Sequence, residues 1–306
     1  MGMKIHRCSM ESELLFSEPV TACIGYFDGL HKGHQSLIDH TLSKAKELGT
    51  ESAIITFDPD PWVVIKQVVD VQHLSTMKQR QKLAAEAGLD HFIVLEFTKE
   101  MSSLNEHEFV DLLKKNLNLK AMICGFDFHY AAKGKGNAKT LAQHDFEVVC
   151  VESVNDEQGK ISSTRICECI DEGKIREANL LLGYSYVIEG IVVHGNAKGT
   201  GIGFPTANIL ADKELLIPAR GVYVGKVEVK GIKYPAMINI GYNPTFNKRR
   251  LLSVEAHLLD FSGDIYGEQV QVSFYDKLRD ERKFESVNEL IQQLKKDVQS
   301  TREYFE

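Results

Sequence analysis

Apolar residues in the first half of the chain fall in short runs, near 20–26, 52–57, 91–96, 121–125 and 147–151, separated by stretches of helical spacing near 35–48, 76–88 and 105–118. In the first of these stretches Leu37, Ile38, Leu42, Ala45 and Leu48 recur on one helical face until Gly49. The apolar runs lack polar alternation, as strands covered on both sides do. Strand and helix taking turns therefore predict an α/β domain with a parallel sheet and helices on both faces. After Gly183 the texture changes. Longer strands are expected at 186–194, 222–229, 232–240, 253–261 and 268–276, with turns such as Lys230-Gly231 and alternation in Val270, Val272 and Phe274. That pattern predicts a small antiparallel β-barrel. A terminal helix with the stripe Val287, Leu290, Ile291, Leu294 and Val298 is expected to pack on it. The expected domains are residues 1–183 and 184–306.

Composition narrows the partners. A chain of 306 residues can bury two cores. Its net charge of −7 gives no broad attraction to nucleic acid or anionic membrane, so phosphate binding should be local and the partner a small phosphorylated molecule. No apolar run has the length of a membrane span, and Glu11 and Glu13 make the N-terminus a poor signal peptide, so a cytoplasmic location is expected. The six cysteines, at 8, 23, 124, 150, 167 and 169, lack paired metal-ligand spacing and read as reduced and structural.

Two segments carry candidate chemistry. Tyr26-Phe27-Asp28-Gly29-Leu30-His31-Lys32-Gly33-His34 joins the first strand to the first helix. At about 100° per residue, His31 and His34 sit roughly 60° apart on the first turn and can reach one phosphate. Unpaired N–H groups and the positive end of the helix dipole should add to that attraction, and Gly33 keeps one side open. Taken alone, such histidines are as readily cap or surface residues. Their place after a strand and before a helix favours a nucleotide site. The second segment, Gly195-Asn196-Ala197-Lys198-Gly199-Thr200-Gly201-Ile202-Gly203-Phe204-Pro205-Thr206-Ala207-Asn208, can cradle phosphates with backbone N–H groups, and a threonine hydroxyl can help to hold Mg2+. It does not match the Walker lysine loop.

Together with Ile55-Thr56-Phe57-Asp58-Pro59, Gly125-Phe126-Asp127-Phe128, Ile161-Ser162-Ser163-Thr164-Arg165-Ile166, Asn239-Ile240-Gly241, Pro244-Thr245-Phe246, Val254-Glu255-Ala256-His257, Asp260-Phe261 and Lys277-Leu278-Arg279, these segments strongly resemble the bacterial bifunctional riboflavin kinase/FAD synthetase family over nearly the whole chain. The resemblance implies a Rossmann-like nucleotidyltransferase domain that adenylylates FMN to FAD and a barrel kinase that phosphorylates riboflavin to FMN. Both would use ATP with a divalent cation, usually Mg2+. His31 and His34 would stabilise phosphate charge in the first reaction, with Gly25, Phe27, Gly33, Ser163, Thr164 and Arg165 around the nucleotide. Phe57, Pro59, Asp127, Phe128 and Arg279 would contact flavin. Glu255 would be the kinase base, Gly195, Lys198, Gly203, Pro205, Thr206 and Asn208 would line its ATP site, and Thr206 and Asn208 would hold the metal. No nucleic-acid or membrane partner is implied, and self-association is expected to be weak, giving a homo-oligomer at most.

Five positions depart from the family pattern: Asp60 replaces a histidine, His129 an arginine, Ala131 a glycine, Cys167 an arginine and Asn196 an aspartate. They set out two alternatives, a riboflavin kinase with a weak or specialised adenylyltransferase domain and a non-enzymatic flavin- or nucleotide-binding regulator.

Overall fold

Strands whose residues are buried on both sides dominate the first half of the protein. The computed structural model describes residues 2–12, 16, 18–195, 200–242 and 252–306. It contains two compact units, one of Met1–Val71 with Thr76–Ser162 and the other of Gln72–Ser75 with Ser163–Glu306.

In the first unit the chain runs through β1 (Lys4–Cys8), β2 (Val20–Ile24), α1 (Lys32–Leu48), β3 (Glu51–Asp58), α2 (Pro61–Lys66), α3 (Met77–Glu86), β4 (His91–Glu96), α4 (Glu106–Asn116), β5 (Leu119–Gly125), α5 (Ala138–Leu141) and β6 (Glu147–Val151), then the short hairpin β7 (Asn155–Asp156) and β8 (Gly159–Lys160). Six strands form one sheet in the order β1-β4-β3-β2-β5-β6, and every neighbouring pair is parallel. Alternate residues of each central strand enter two cores. Ala22, Ile24, Ile55, Ile93 and Met122 face α4 through Phe109 and Leu113, whereas Cys23, Ile54, Phe92 and Ile123 face α1 through Leu37 and Ile38. Both faces are therefore covered by helices, as the unalternating runs require. Strand β1 was not expected, because Lys4, His6 and Arg7 interrupt its hydrophobicity; it lies at one end of the sheet and, among the described residues, pairs only with β4. The adjacent strands β3, β2 and β5 deliver Asp58-Pro59, Gly25-Tyr26 and Gly125-Phe126 to their carboxyl ends, where open α/β sheets bind ligands.

The second unit starts with α6 (Ser163–Asp171) and α7 (Ile175–Leu182). The strands β9 (Tyr186–Val193), β10 (Ala207–Ala211), β11 (Gly221–Val229), β12 (Ile232–Tyr242), β13 (Leu252–Leu258) and β14 (Gln269–Arg279) follow, and then α8 (Val287–Phe305). The strands close into a barrel in the order β10-β13-β12-β11-β14-β9, with β9 antiparallel to both β10 and β14. Asn179 ties α7 to the barrel by donating to the Phe274 carbonyl at 2.9 Å and accepting from the Tyr186 N–H at 2.7 Å. Strand β10 is absent from the expected set because Ile209 is its one fully buried residue. The terminal helix differs from its expected stripe: Val287 is 60% exposed, and the most buried positions are Asp297 and Thr301. Asp297 explains this by accepting from Arg279 of β14, at 3.0 Å from Nε and 2.8 Å from Nη2.

Candidate functional site

Helix α1 begins one residue after His31, which is its N-cap with extended backbone. The first turn thus holds His34 alone, and the expected pair on one helical face becomes a cap and a first-turn residue. The rings nevertheless meet, stacked with centroids 3.7 Å apart and planes 17° from parallel. Nδ1 of His31 accepts from the N–H groups of Gly33, at 3.1 Å, and His34, at 3.4 Å. Two N–H groups expected to await an anion are therefore already capped, because an imidazole nitrogen at the N-cap sits where a capping oxygen ordinarily does. The neutral ring carries its proton on Nε2. Burial lowers the His31 pKa to about 4, with Lys160 pushing the same way and Asp28 opposing. His34 is held well below the usual value by burial, His31, Arg80 and Lys160, in that order. Both imidazoles are neutral at pH 7, and Nδ1 of His34 is buried with no hydrogen-bond partner. A Cβ on Gly33 would come within 3.0 Å of the His31 ring, so a side chain there would displace the stack.

The turn before this cap is strained. Phe27 and Leu30 have φ of 59° and 37°, and Gly29 between them 74°. Phe27, with no exposed surface, places its ring edge-on to His34 at 5.2 Å and forms a wall behind it. Gly25 faces the same ring, 3.3 Å from where its Cβ would be. Arg80 of α3 is the group that sequence reading missed. Its side chain is 2% exposed. It donates to the Tyr26 carbonyl at 3.2 Å, the Tyr26 hydroxyl at 3.4 Å and Asp28 Oδ1 at 3.1 Å, with its guanidinium carbon 4.4 Å from the Tyr26 ring centre. The signal was present: Arg80 shares a helical face with Ala84, and a charge at a core-facing position needs partners.

The residues expected to contact flavin lie at neighbouring strand ends. Phe57 is 7% exposed and packs edge-on against Phe97. Pro59 lines a cavity of about 320 Å3 with Arg7, Cys8, Asp58, Val94 and Glu96. Asp127 pairs with Lys160, whose ammonium lies 4.9 Å from the Phe126 ring centre, and Phe128 stacks on Tyr130. The departures have local roles. Asp60 caps α2 by accepting from the Trp62 N–H at 2.7 Å, and His129 Nδ1 bonds the Asp127 carbonyl at 2.9 Å. Ser163 and Thr164 open α6 in the second unit, Arg165 lies 3.9 Å from Glu177, and Cys167 is half-buried.

In the barrel, Glu255 pairs in register with Asn208 on one side and Asn239 on the other. Directly paired residues point to the same face. Val254 and Ala256, which flank Glu255, are buried in the barrel core, so the Asn208–Glu255–Asn239 row lies on the outer wall. Asn208 enters this row from β10, and Pro205 and Thr206 lie just before that strand. The segment is pinned by His257, which bonds the Pro205 carbonyl through Nδ1 at 2.7 Å and meets Phe204 ring to ring at 5.5 Å. A Cβ on Gly195 would run into the Asn208 side chain, and Gly203 has φ of +84°. Lys198 and Pro244-Thr245-Phe246 lie outside the described residues. Arg279 directs Nε and Nη2 to Asp297 and Nη1 to the Asp280 carbonyl. Among the described residues no cluster of three or more His, Cys, Asp or Glu side chains is arranged for a metal. Thr206 and Asn208 instead offer the neutral oxygens that suit Mg2+, a hard ion that keeps part of its water.

Residues 15–165 match the FAD synthetase family and residues 182–305 the riboflavin kinase family. The chain is 41% identical over 286 residues to the bifunctional riboflavin kinase/FMN adenylyltransferase of Listeria monocytogenes, covering 92% of this chain and 91% of that one. It is 38% identical over 288 residues to the Bacillus subtilis protein of the same name, again covering 92% and 91%. A crystal structure described as a macrolide-efflux protein from Streptococcus pneumoniae superposes with a TM-score of 0.90 at 37% identity, over 97% of this chain and 98% of that one. Among the described residues no helix is long and apolar enough to cross a membrane.

Proposed function

Because the chain belongs to the bifunctional riboflavin kinase/FMN adenylyltransferase family, we propose how its residues share the two reactions. The protein uses ATP to phosphorylate riboflavin to FMN and to adenylylate FMN to FAD. Matches to both families leave the kinase-only and regulator alternatives without support. We assign residues 1–183 to adenylyl transfer and 184–306 to the kinase.

In adenylyl transfer the FMN phosphate oxygen attacks the α-phosphorus of ATP and pyrophosphate departs, so nucleophile and leaving group are both in the substrates. The protein positions them and answers the charge that develops. His31 Nε2–H is a neutral donor set in place before the reaction, with His34 stacked against it. Such preorganised donors are worth most in a partly dehydrated site. Gly25, Phe27 and Gly33 shape this pocket. Ser163, Thr164 and Arg165 are assigned to the ATP phosphates, and Phe57, Pro59, Asp127 and Phe128 to the flavin. The observation that carries this reading is the stacked neutral pair at the start of α1, beyond the carboxyl end of β2.

In the kinase reaction Glu255 takes the proton of the riboflavin 5′-hydroxyl as the hydroxyl oxygen attacks the γ-phosphorus of ATP and ADP departs. Gly195, Lys198, Gly203 and Pro205 are assigned to ATP and Arg279 to the flavin side. Thr206 and Asn208 would hold a divalent cation, Mg2+ by family, which when bound neutralises phosphate charge. A cytoplasmic location and at most weak homo-oligomerisation complete the proposal.

Product chromatography after incubation with riboflavin, ATP and Mg2+ tests the assignment. Glu255→Gln should abolish FMN formation while FAD still forms from supplied FMN. His31→Ala/His34→Ala should do the reverse. Loss of both activities in either folded variant would refute separate sites.

A further inference from the structure

Arg80 is among the largest fully buried side chains of the described residues, and α3 does not need it for its own formation. A Thr76/Gln79 capping box starts that helix, and Ala84 with Leu83 and Met77 packs it into the core. Burying a guanidinium costs free energy unless its donors find acceptors, and here Tyr26 and Asp28, of the turn that precedes His31, supply such acceptors. That turn holds three left-handed residues in four positions, Phe27, Gly29 and Leu30. Such a conformation persists only where its surroundings over-determine it. The Tyr26 carbonyl accepts from Arg80 and also from the Thr56 hydroxyl at 2.9 Å.

We propose that Arg80 is a positioning residue for adenylyl transfer. Its planar fork clamps the Tyr26 carbonyl and the Asp28 carboxylate together, which fixes the turn that presents His31 and His34. It also neutralises a buried carboxylate that would otherwise repel the phosphates of ATP. The inference rests on the reading that the imidazole pair serves ATP. The charged and titratable groups facing the pair are Asp28, Arg80 and Lys160, and Asp60 joins them in acting on Tyr26. Removing Arg80 takes a positive charge away from Asp28 beside His31, so a functional clamp has an electrostatic signature as well as a geometric one.

The test measures FAD formation from FMN and ATP between about pH 5 and 8, with FMN formation from riboflavin in the same preparations as the control for folding. Arg80→Met should lower kcat for FAD formation about tenfold or more, raise KM for ATP several-fold and move the acid limb to higher pH, leaving FMN formation near the parent. Arg80→Lys keeps the charge and loses the fork, so KM for ATP should stay near the parent while kcat falls. Asp28→Asn/Arg80→Met removes both charges and should recover KM without recovering kcat. Parent-like FAD kinetics in Arg80→Met would overturn the proposal. If that variant does not fold, parent-like kcat in Arg80→Lys would overturn it. Unimpaired FAD formation in His31→Ala/His34→Ala would instead overturn the site reading on which the proposal rests.

Discussion

At the start of α1 one imidazole is both a structural cap and a candidate phosphate donor: Nδ1 of His31 accepts two backbone N–H groups, which leaves Nε2 to donate. The two roles can be separated. Asparagine is as good an N-cap acceptor but does not titrate, so His31→Asn should keep stability at pH 7 within about 1 kcal/mol while FAD formation falls. Its acid behaviour should differ too. The folded value near 4 lies below the unfolded value of 6.5, so the unfolded chain binds more protons between them. Stability then falls as pH drops from 6.5 towards 4, by about 3 kcal/mol for this residue, and levels off below. Urea titrations at a series of pH values should show that slope flattened in His31→Asn; an unchanged slope would mean that other groups set it. The motif and its place after a strand were legible in the sequence, but the cap was not. Periodicity treats His31 as the first helical residue, whereas its extended backbone puts it just outside. Arg80 was hidden for a related reason: its partners lie 52 and 54 residues away in the chain.

Among elements, the buried central strands were the easiest to read, because burial on both sides leaves unbroken apolar runs. Strands at boundaries were harder. β1 carries Lys4, His6 and Arg7 and has one paired edge, and β10 is five residues with a single deep side chain. The terminal helix shows how a polar anchor escapes a periodicity argument. Its two buried residues are Asp297 and Thr301, and Asp297 is engaged by Arg279 at 18% side-chain exposure. Removing one partner of a buried ion pair leaves the other charge uncompensated, which typically costs about 3–5 kcal/mol. Asp297→Ala should therefore destabilise the barrel unit by about 3 kcal/mol in urea unfolding. FAD formation from supplied FMN should be retained under conditions where the rest of the chain stays folded. An equally stable variant would show that α8 is held by its half-buried apolar residues alone.

For the whole molecule, residues 1–183 and 184–306 are assigned two successive reactions. The assignment predicts complementation. A mixture of Glu255→Gln and His31→Ala/His34→Ala proteins should convert riboflavin to FAD although neither does so alone, with FMN passing through solution. An FMN-trapping apoprotein added to the mixture should then suppress FAD. Failure of the mixture, with each remaining activity intact, would mean that FMN does not leave the chain that makes it.

The two units also differ in what they offer to a neighbour as they begin to unfold. A closed cylinder of strands has no rim, whereas the open sheet ends in β1 and β6, each with one hydrogen-bonding side unused by the sheet. Lys4 and Arg7 in the first and Glu147 in the second are charges of the kind that discourage strand-to-strand addition. Neutralising them should make heated samples clump sooner while leaving the cylinder indifferent.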